Sequence, residues 1–278
     1  MKTSNKILLA VGILLTAFLI YYQIRFQSFK ISTSSMYGAL FIDDIILIDK
    51  HYEAIKTNTI VAFNTSFIDA PVCSRVVGLS NDKVEIKDGT LLINKKPLLN
   101  IGEQYEYTIT SSVTLNEKQL LKRKTLLEPF ILNDGYGNYR AFLTKQNAIK
   151  IKNIKGVESV EKVIVPKQIQ NEKDEYACFP QHKNYNWSID NFGEITVPKM
   201  GVKIELNQEN LPLYIELIKQ ETQKSDTEIE RLKTYTFKQD YYFMMSDNRH
   251  NAVDSRYFGF VSKAAIIGVY ASTIYTSN

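Results

Sequence analysis

A chain of 278 residues, 44% hydrophobic and 23% charged, carries enough apolar material for a sizeable core and is no disordered tail. Thirty-four basic residues against 30 acidic ones leave a formal charge of +4. The excess is spread along the chain, which argues against nucleic acid as a partner and permits an anionic membrane surface. Two cysteines, Cys73 and Cys178, and three scattered histidines, His51, His182 and His250, show no ligand spacing, so neither a metal nor another cofactor is expected. In a domain outside the cytoplasm the two cysteines could be bridged, or they could remain buried thiols.

Residues 7–24, ILLAVGILLTAFLIYYQI, are uncharged, long enough to cross a bilayer as a helix, and end on Tyr21 and Tyr22, where an aromatic belt would lie. No small-x-small cleavage site follows them, so an uncleaved anchor is expected rather than a removed leader. Lys2, Lys6 and the amino terminus outweigh Arg25 and Lys30 slightly, which puts residues 1–6 inside and the rest outside. Next come a polar run, ISTSSMYGAL, and a strand-like IDDIILIDK. NDKVEIKDGTLLINKKPL, residues 81–98, reads as a hairpin turning at Asp88-Gly89. Helical patterns near 115–124, 143–152 and 210–224 are few among short β-type segments such as YTFKQDYYFMM at 235–245. The run AAIIGVYASTIY at 264–275 is too short to span a membrane and reads as a buried strand. A mainly β protein follows, with a β core from 25–98 and 235–278 and an inserted α+β subdomain at 99–234.

Unaided, the candidate nucleophiles are the hydroxyls of STSSM, and a serine is inert until a base takes its proton. No GxSxG elbow is present, which leaves a Ser/Lys arrangement as the other known solution. In SDNRHNAVDSRYFGF, residues 246–260, the apolar flanks favour a buried ion-pair framework of Asp247, Asp254, Arg256 and Arg75 over a surface turn.

These stretches together resemble bacterial signal peptidase I, a membrane-anchored Ser/Lys endopeptidase. STSSM before YGAL resembles its nucleophile box, approximately PSxSMxPTL, and DDIILIDK resembles its GDxxxVxK strand. SRVVGLSND resembles KRVxGxPGD, and SDNRHNAVDSRYFGFV resembles GDNRxNSxDSR with its aromatic tail. The resemblance implies an antiparallel signal-peptidase-type β core behind one transmembrane helix. It puts Ser35 at the nucleophile position and Thr33 at the hydroxyl that assists the oxyanion hole. Its substrates would be signal peptides or preproteins, bound as an extended strand near the membrane lipid. The implied location is the bacterial cytoplasmic membrane, with the soluble domain on the extracytoplasmic side and contact with translocation machinery or another membrane complex open. Ser35 is the thirteenth residue after Tyr22, a reach of at most roughly 45 Å.

The copy departs where the chemistry is concentrated. Ser74 stands at the family's lysine base, and Ala252 at the serine that orients that lysine. Further departures are Ser32, Gly38 and Ser80 for prolines, and Asp43 and Ser246 for glycines, whereas Arg75, Asp82, Asp247, Arg249, Asp254 and Arg256 are kept. A lost general base removes about 10² to 10⁴ of rate, so a catalytically impaired homologue is expected. The alternative is an active enzyme with another base, for which Lys50 and His250 are the first suspects. Cys73, next to Ser74 in a strand, is expected on the opposite face with no catalytic part.

Overall fold

The apolar N-terminal segment is helical in the computed structural model, which describes residues 2–98, 102–167 and 177–276. Within α1 (Lys2–Arg25), the stretch Ile7–Arg25 is long and apolar enough to cross a membrane, and none of it is buried against the rest of the protein. The Thr16 hydroxyl donates to the Gly12 carbonyl at 2.9 Å, so its polarity is satisfied inside the helix. At the exit, Arg25 donates to Asp49 Oδ2 through Nη2 at 2.7 Å and Nε at 3.2 Å, which ties the helix to the first hairpin.

That hairpin pairs β1 (Phe26–Lys30) with β2 (Ile45–Asp49), from Phe26 opposite Asp49 to Lys30 opposite Ile45. β3 (Ile60–Thr65) and β4 (Ile68–Gly78) form a second hairpin. The expected Asp88-Gly89 turn joins β5 (Lys83–Lys87) to β6 (Thr90–Ile93), with φ of 48° and 67° at the two turn residues, as a type I′ turn requires. β6 turns again at Asn94-Lys95 into β7 (Lys96–Pro97).

Residues 104–162 build a sheet of their own from β8 (Gln104–Ser111), β9 (Leu132–Asn133), β10 (Asn138–Thr144) and β11 (Val157–Lys162), in the order β11-β8-β10-β9. α2 (Glu117–Lys122) and α3 (Lys145–Lys152) cover it, capped by the Asn116 and Thr144 side chains, each accepting a backbone N–H at 3.1 Å. Ile109, Leu120, Tyr139, Leu143 and Ile151 fill the space between.

β12 (Phe192–Thr196) pairs with β5, and β13 (Lys203–Glu205) with the later β14 (Thr234–Thr236). α4 (Leu211–Thr222) starts with Pro212 in its first turn, and α5 (Asp226–Glu230) opens on a capping box from Ser225 and Glu228. This part shares one core with the preceding strands: Val77, Val84, Trp187, Phe192, Leu217, Phe243 and Phe260. β15 (Tyr241–Met245) is buried throughout. After it come α6 (Ser255–Phe258), β16 (Val261–Ser262) and β17 (Ile266–Tyr275).

The large antiparallel sheet runs β1-β2-β17-β3-β4-β15-β16. Alternation along β2 and β3 feeds two clusters, Ile46, Ile48, Ile60 and Ala62 on one and Val61 and Phe63 on the other. β17 is the strand expected at the C-terminal apolar run, but only its first half is covered, and Ile274 and Tyr275 are exposed. The expected helices at 115–124, 143–152 and 210–224 appear as α2, α3 and α4; α5 and α6 are too short to show a period. No disulfide joins Cys73 and Cys178.

Candidate active site

The segment between β1 and β2 carries Thr33 and Ser35 in a loop clamped by its apolar residues. Met36 and Leu40 are 1% and 0% exposed and pack with Ile31, Ile46, Ile48 and Ile60, so the chain between them is pinned over the sheet. Asp43, at a family glycine, keeps the glycine conformation with φ of 70°, which an aspartate tolerates better than most residues. Ser35 is partly exposed, and its hydroxyl lies 3.0 Å from that of Thr33. Its carbonyl accepts the Asn248 N–H at 2.8 Å. Among the described residues no lysine or histidine nitrogen is hydrogen bonded to the Ser35 hydroxyl.

Ser74 lies on β4. Met245 pairs with Arg75, so the next step of the register sets Ser246 opposite Ser74. The two hydroxyls meet at 3.2 Å, and both residues are 0% exposed. Ser246 is thus the partner of the altered position; in the sequence its only signal is a departure from glycine. Ala252, where the resemblance leads one to expect an orienting serine, is partly buried and has only a methyl to offer. Cys73 packs with the cluster that holds Met36, and burial pushes its thiol up to about 11.

The kept charges form the frame. Arg75 donates to Asp247 through Nε at 2.8 Å and Nη2 at 2.5 Å, and through Nη1 to the Asn58 carbonyl at 2.8 Å. Arg256 forks onto Asp254, with Nε at 2.9 Å and Nη2 at 2.8 Å, both residues almost wholly buried. Burial opposes the Arg256 charge, but Asp254's charge and hydrogen bonds outweigh it and hold the guanidinium above its usual value. Asp254 Oδ2 also accepts the Ser246 N–H at 3.1 Å, so the ion pair fixes the backbone beside Ser74. Ser80 donates its hydroxyl to the Tyr241 carbonyl at 2.9 Å.

The two alternative bases are engaged elsewhere. The His250 side chain is buried, with Nε2 3.0 Å from Asp190 Oδ1 while Nδ1 accepts the Glu106 N–H at 3.2 Å. A backbone donor on Nδ1 assigns the ring proton to Nε2, so both ring nitrogens are used. Burial opposes the Asp190 charge, yet the hydrogen bonds it accepts from His250 and from the Val165 N–H carry its proton affinity below the usual carboxylate range. Lys50 is directed to the Gln23 carbonyl at 3.4 Å, at the end of α1.

Sequence reasoning also missed contacts from residues 104–162. Gln104, 0% exposed, donates N–H to the Asp247 carbonyl at 2.8 Å, accepts Arg249 N–H at 2.8 Å, and donates Nε2 to the Tyr37 carbonyl at 2.8 Å. Glu128 Oε1 accepts from Asn248 Nδ2 at 2.6 Å. Burial raises the proton affinity of the Tyr37 phenol, and the Glu128 charge adds to it. These partners are more than a hundred residues from the last box, and no local pattern announces them. A cleft of about 1360 Å³ lies elsewhere, between α4, Phe179–Asn184 and the β3–β4 turn, and contains none of these residues.

Comparison with known proteins settles the family. The model of the family described as signal peptidase, peptidase S26, matches residues 4–275. The chain belongs to this family. A curated signal peptidase I from Buchnera aphidicola subsp. Baizongia pistaciae is 27% identical over 258 residues, covering 87% of this chain and 67% of that protein. A crystal structure of a signal peptidase I from Enterococcus faecalis V583 overlaps 78% of this chain and 97% of its own, at 17% identity and a TM-score of 0.30. In this family member Ser74 meets the last box through Ser246, and the loop of Ser35 meets it through Asn248.

Proposed function

We propose that this protein is a membrane-anchored signal peptidase homologue that binds the signal-peptide region of exported proteins and is impaired in cutting it. Residues 7–24 anchor it in the cytoplasmic membrane with residues 1–6 inside, and the β domain stands on the outer side, open to translocation machinery. The observation that carries the reading is the buried Ser74 to Ser246 hydroxyl pair. A serine hydroxyl is too weak a base at neutral pH to deprotonate Ser35, and sealed from solvent it reaches no further than its neighbour. With Ser35 in the nucleophile's role and Thr33 in the oxyanion helper's, as the family resemblance implies, binding geometry survives while proton transfer does not.

The test compares preprotein binding and cleavage by the full-length wild type, Ser35→Ala, and a restored Ser74→Lys/Ser246→Gly/Ala252→Ser variant in bilayer nanodiscs. Ser246 is included because its hydroxymethyl group occupies the space beside position 74. The expected result is equal binding by wild type and Ser35→Ala, no Ser35-dependent cleavage by the wild type, and measurable cleavage after restoration. Ser35-dependent cleavage by the wild type would instead establish an active peptidase with a non-standard base.

A further inference from the structure

Glu128 belongs to none of the signal-peptidase boxes, yet it touches the two asparagines that hold the nucleophile loop. Its Oε1 accepts from Asn248 Nδ2 at 2.6 Å and its Oε2 from Asn251 Nδ2 at 3.5 Å. The same Asn248 Nδ2 donates to the Ser34 carbonyl at 3.3 Å, and the same Asn251 Nδ2 donates to the Ser34 hydroxyl at 3.0 Å. The Asn248 backbone N–H goes to the Ser35 carbonyl. Among the described residues no cation pairs with Glu128, so its charge rests on these amides.

The chemistry makes this arrangement directional. An asparagine side chain can present either its NH₂ or its oxygen, and the two ends are nearly equal in size. An ionised carboxylate only accepts. Facing Glu128, each amide must turn its NH₂ toward the carboxylate, and the second hydrogen of each NH₂ then points at Ser34. With the amides reversed, the Asn248 oxygen would meet the Ser34 carbonyl and a carboxylate together in a partly buried place, and the Asn251 oxygen would meet the same carboxylate, both repulsive contacts.

We infer that Glu128 is a positioning residue: its carboxylate fixes the sense of the Asn248 and Asn251 amides and through them the conformation of the loop that carries Ser34 and Ser35. The subdomain of residues 104–162 therefore governs the candidate nucleophile from outside the catalytic boxes. Gln104 supports the same loop through the Tyr37 carbonyl. The inference does not depend on whether Ser35 cleaves anything.

The test is amide hydrogen exchange on the full-length protein in nanodiscs, read at Tyr37, Leu40 and Asn248, whose N–H groups bond within the loop or to it. Wild type is compared with Glu128→Ala, the isosteric Glu128→Gln, and Glu128→Asp. Loss of hydrogen bonds to a charged group makes exchange about tenfold faster at these amides in Glu128→Ala. Glu128→Gln exchanges faster than wild type but less than Glu128→Ala, because a glutamine can present NH₂ and so permits a reversed Asn251, while the Ser34 carbonyl still opposes reversal of Asn248. Glu128→Asp, which keeps the acceptor-only group, stays within about threefold of wild type. Amides of β8 and β10 are unchanged in all three, which separates local release from general destabilisation. Wild-type exchange in Glu128→Gln, or unchanged exchange in Glu128→Ala, overturns the inference.

Discussion

The two halves of the candidate site have opposite characters. The loop with Thr33 and Ser35 is partly open to solvent and held from several sides through backbone and side-chain hydrogen bonds. The segment with Ser74 and Ser246 is closed, with both serines wholly buried and bonded to one another. A site that only needed to fold could have filled position 74 with an apolar residue. The contrast teaches that frame and proton acceptor are separable: Arg75–Asp247 and Asp254–Arg256 hold the geometry whether or not position 74 can accept a proton.

Four experiments sharpen or break that contrast, and the largest effect belongs to the frame. Asp254→Ala leaves Arg256 buried without its counter-ion, removes the acceptor for the Ser246 N–H, and costs about 3 to 5 kcal/mol. Thermal unfolding monitored by circular dichroism should show a fall on the order of 10 °C. A loss under about 1 kcal/mol would mean that the pair is not the fixed point of the site.

Second is the pH response of the face behind the loop. Burial holds the Cys73 thiol up to about 11, so its proton is bound more tightly in the folded protein than in the unfolded one. Its contribution to stability is complete below the ordinary thiol value, near 9, and is lost as pH rises through about 11, on the order of 2 kcal/mol in all. Denaturant melts at pH 8 and pH 11 should show this loss in the wild type and a smaller one in Cys73→Ala.

Third, Ser246→Ala breaks the sealed pair and leaves the Ser74 hydroxyl without a partner, at a cost of about 1 kcal/mol. Urea unfolding measures it directly, and the same change should leave peptide binding unaltered because Ser35 is untouched.

How much of this was legible beforehand follows from what each feature depends on. The Asp88-Gly89 hairpin, α2, α3 and α4 are set by local propensity and spacing, and appeared where the sequence placed them. The expectation for Ser35 and Thr33 came only from whole boxes standing in order, whereas the ion pairs Arg75–Asp247 and Arg256–Asp254 expected of the last box do form. Ser246 was visible as an odd residue but not as a partner, because its significance depends on strand register across more than 170 residues. Glu128 and Gln104 lay in the same blind spot. His250 looked like a spare base from its place in the box, but burial against Asp190 and Glu106 gives it a structural task. The C-terminal strand was expected to be buried along its length, yet its far half lies beside the short β2 and beyond the cover of the core.

The fourth and smallest effect is at Asp43, whose left-handed backbone suits glycine better. Asp43→Gly relieves that strain at the loss of an exposed ion pair with Lys30, for a net gain of about 0.5 kcal/mol by denaturant melt. A net loss would show that the ion pair matters more to the loop than its backbone.

The central claim, that the nucleophile is kept and its proton acceptor lost, is tested most directly by one rate. Full-length wild type and Ser35→Ala are incubated with the same preprotein at pH 7 to 9, and the cleaved product is quantified over time. The account predicts indistinguishable product formation from the two proteins across that range. Cleavage by the wild type about tenfold or more above Ser35→Ala, rising with pH as a titrating base would make it, would contradict it.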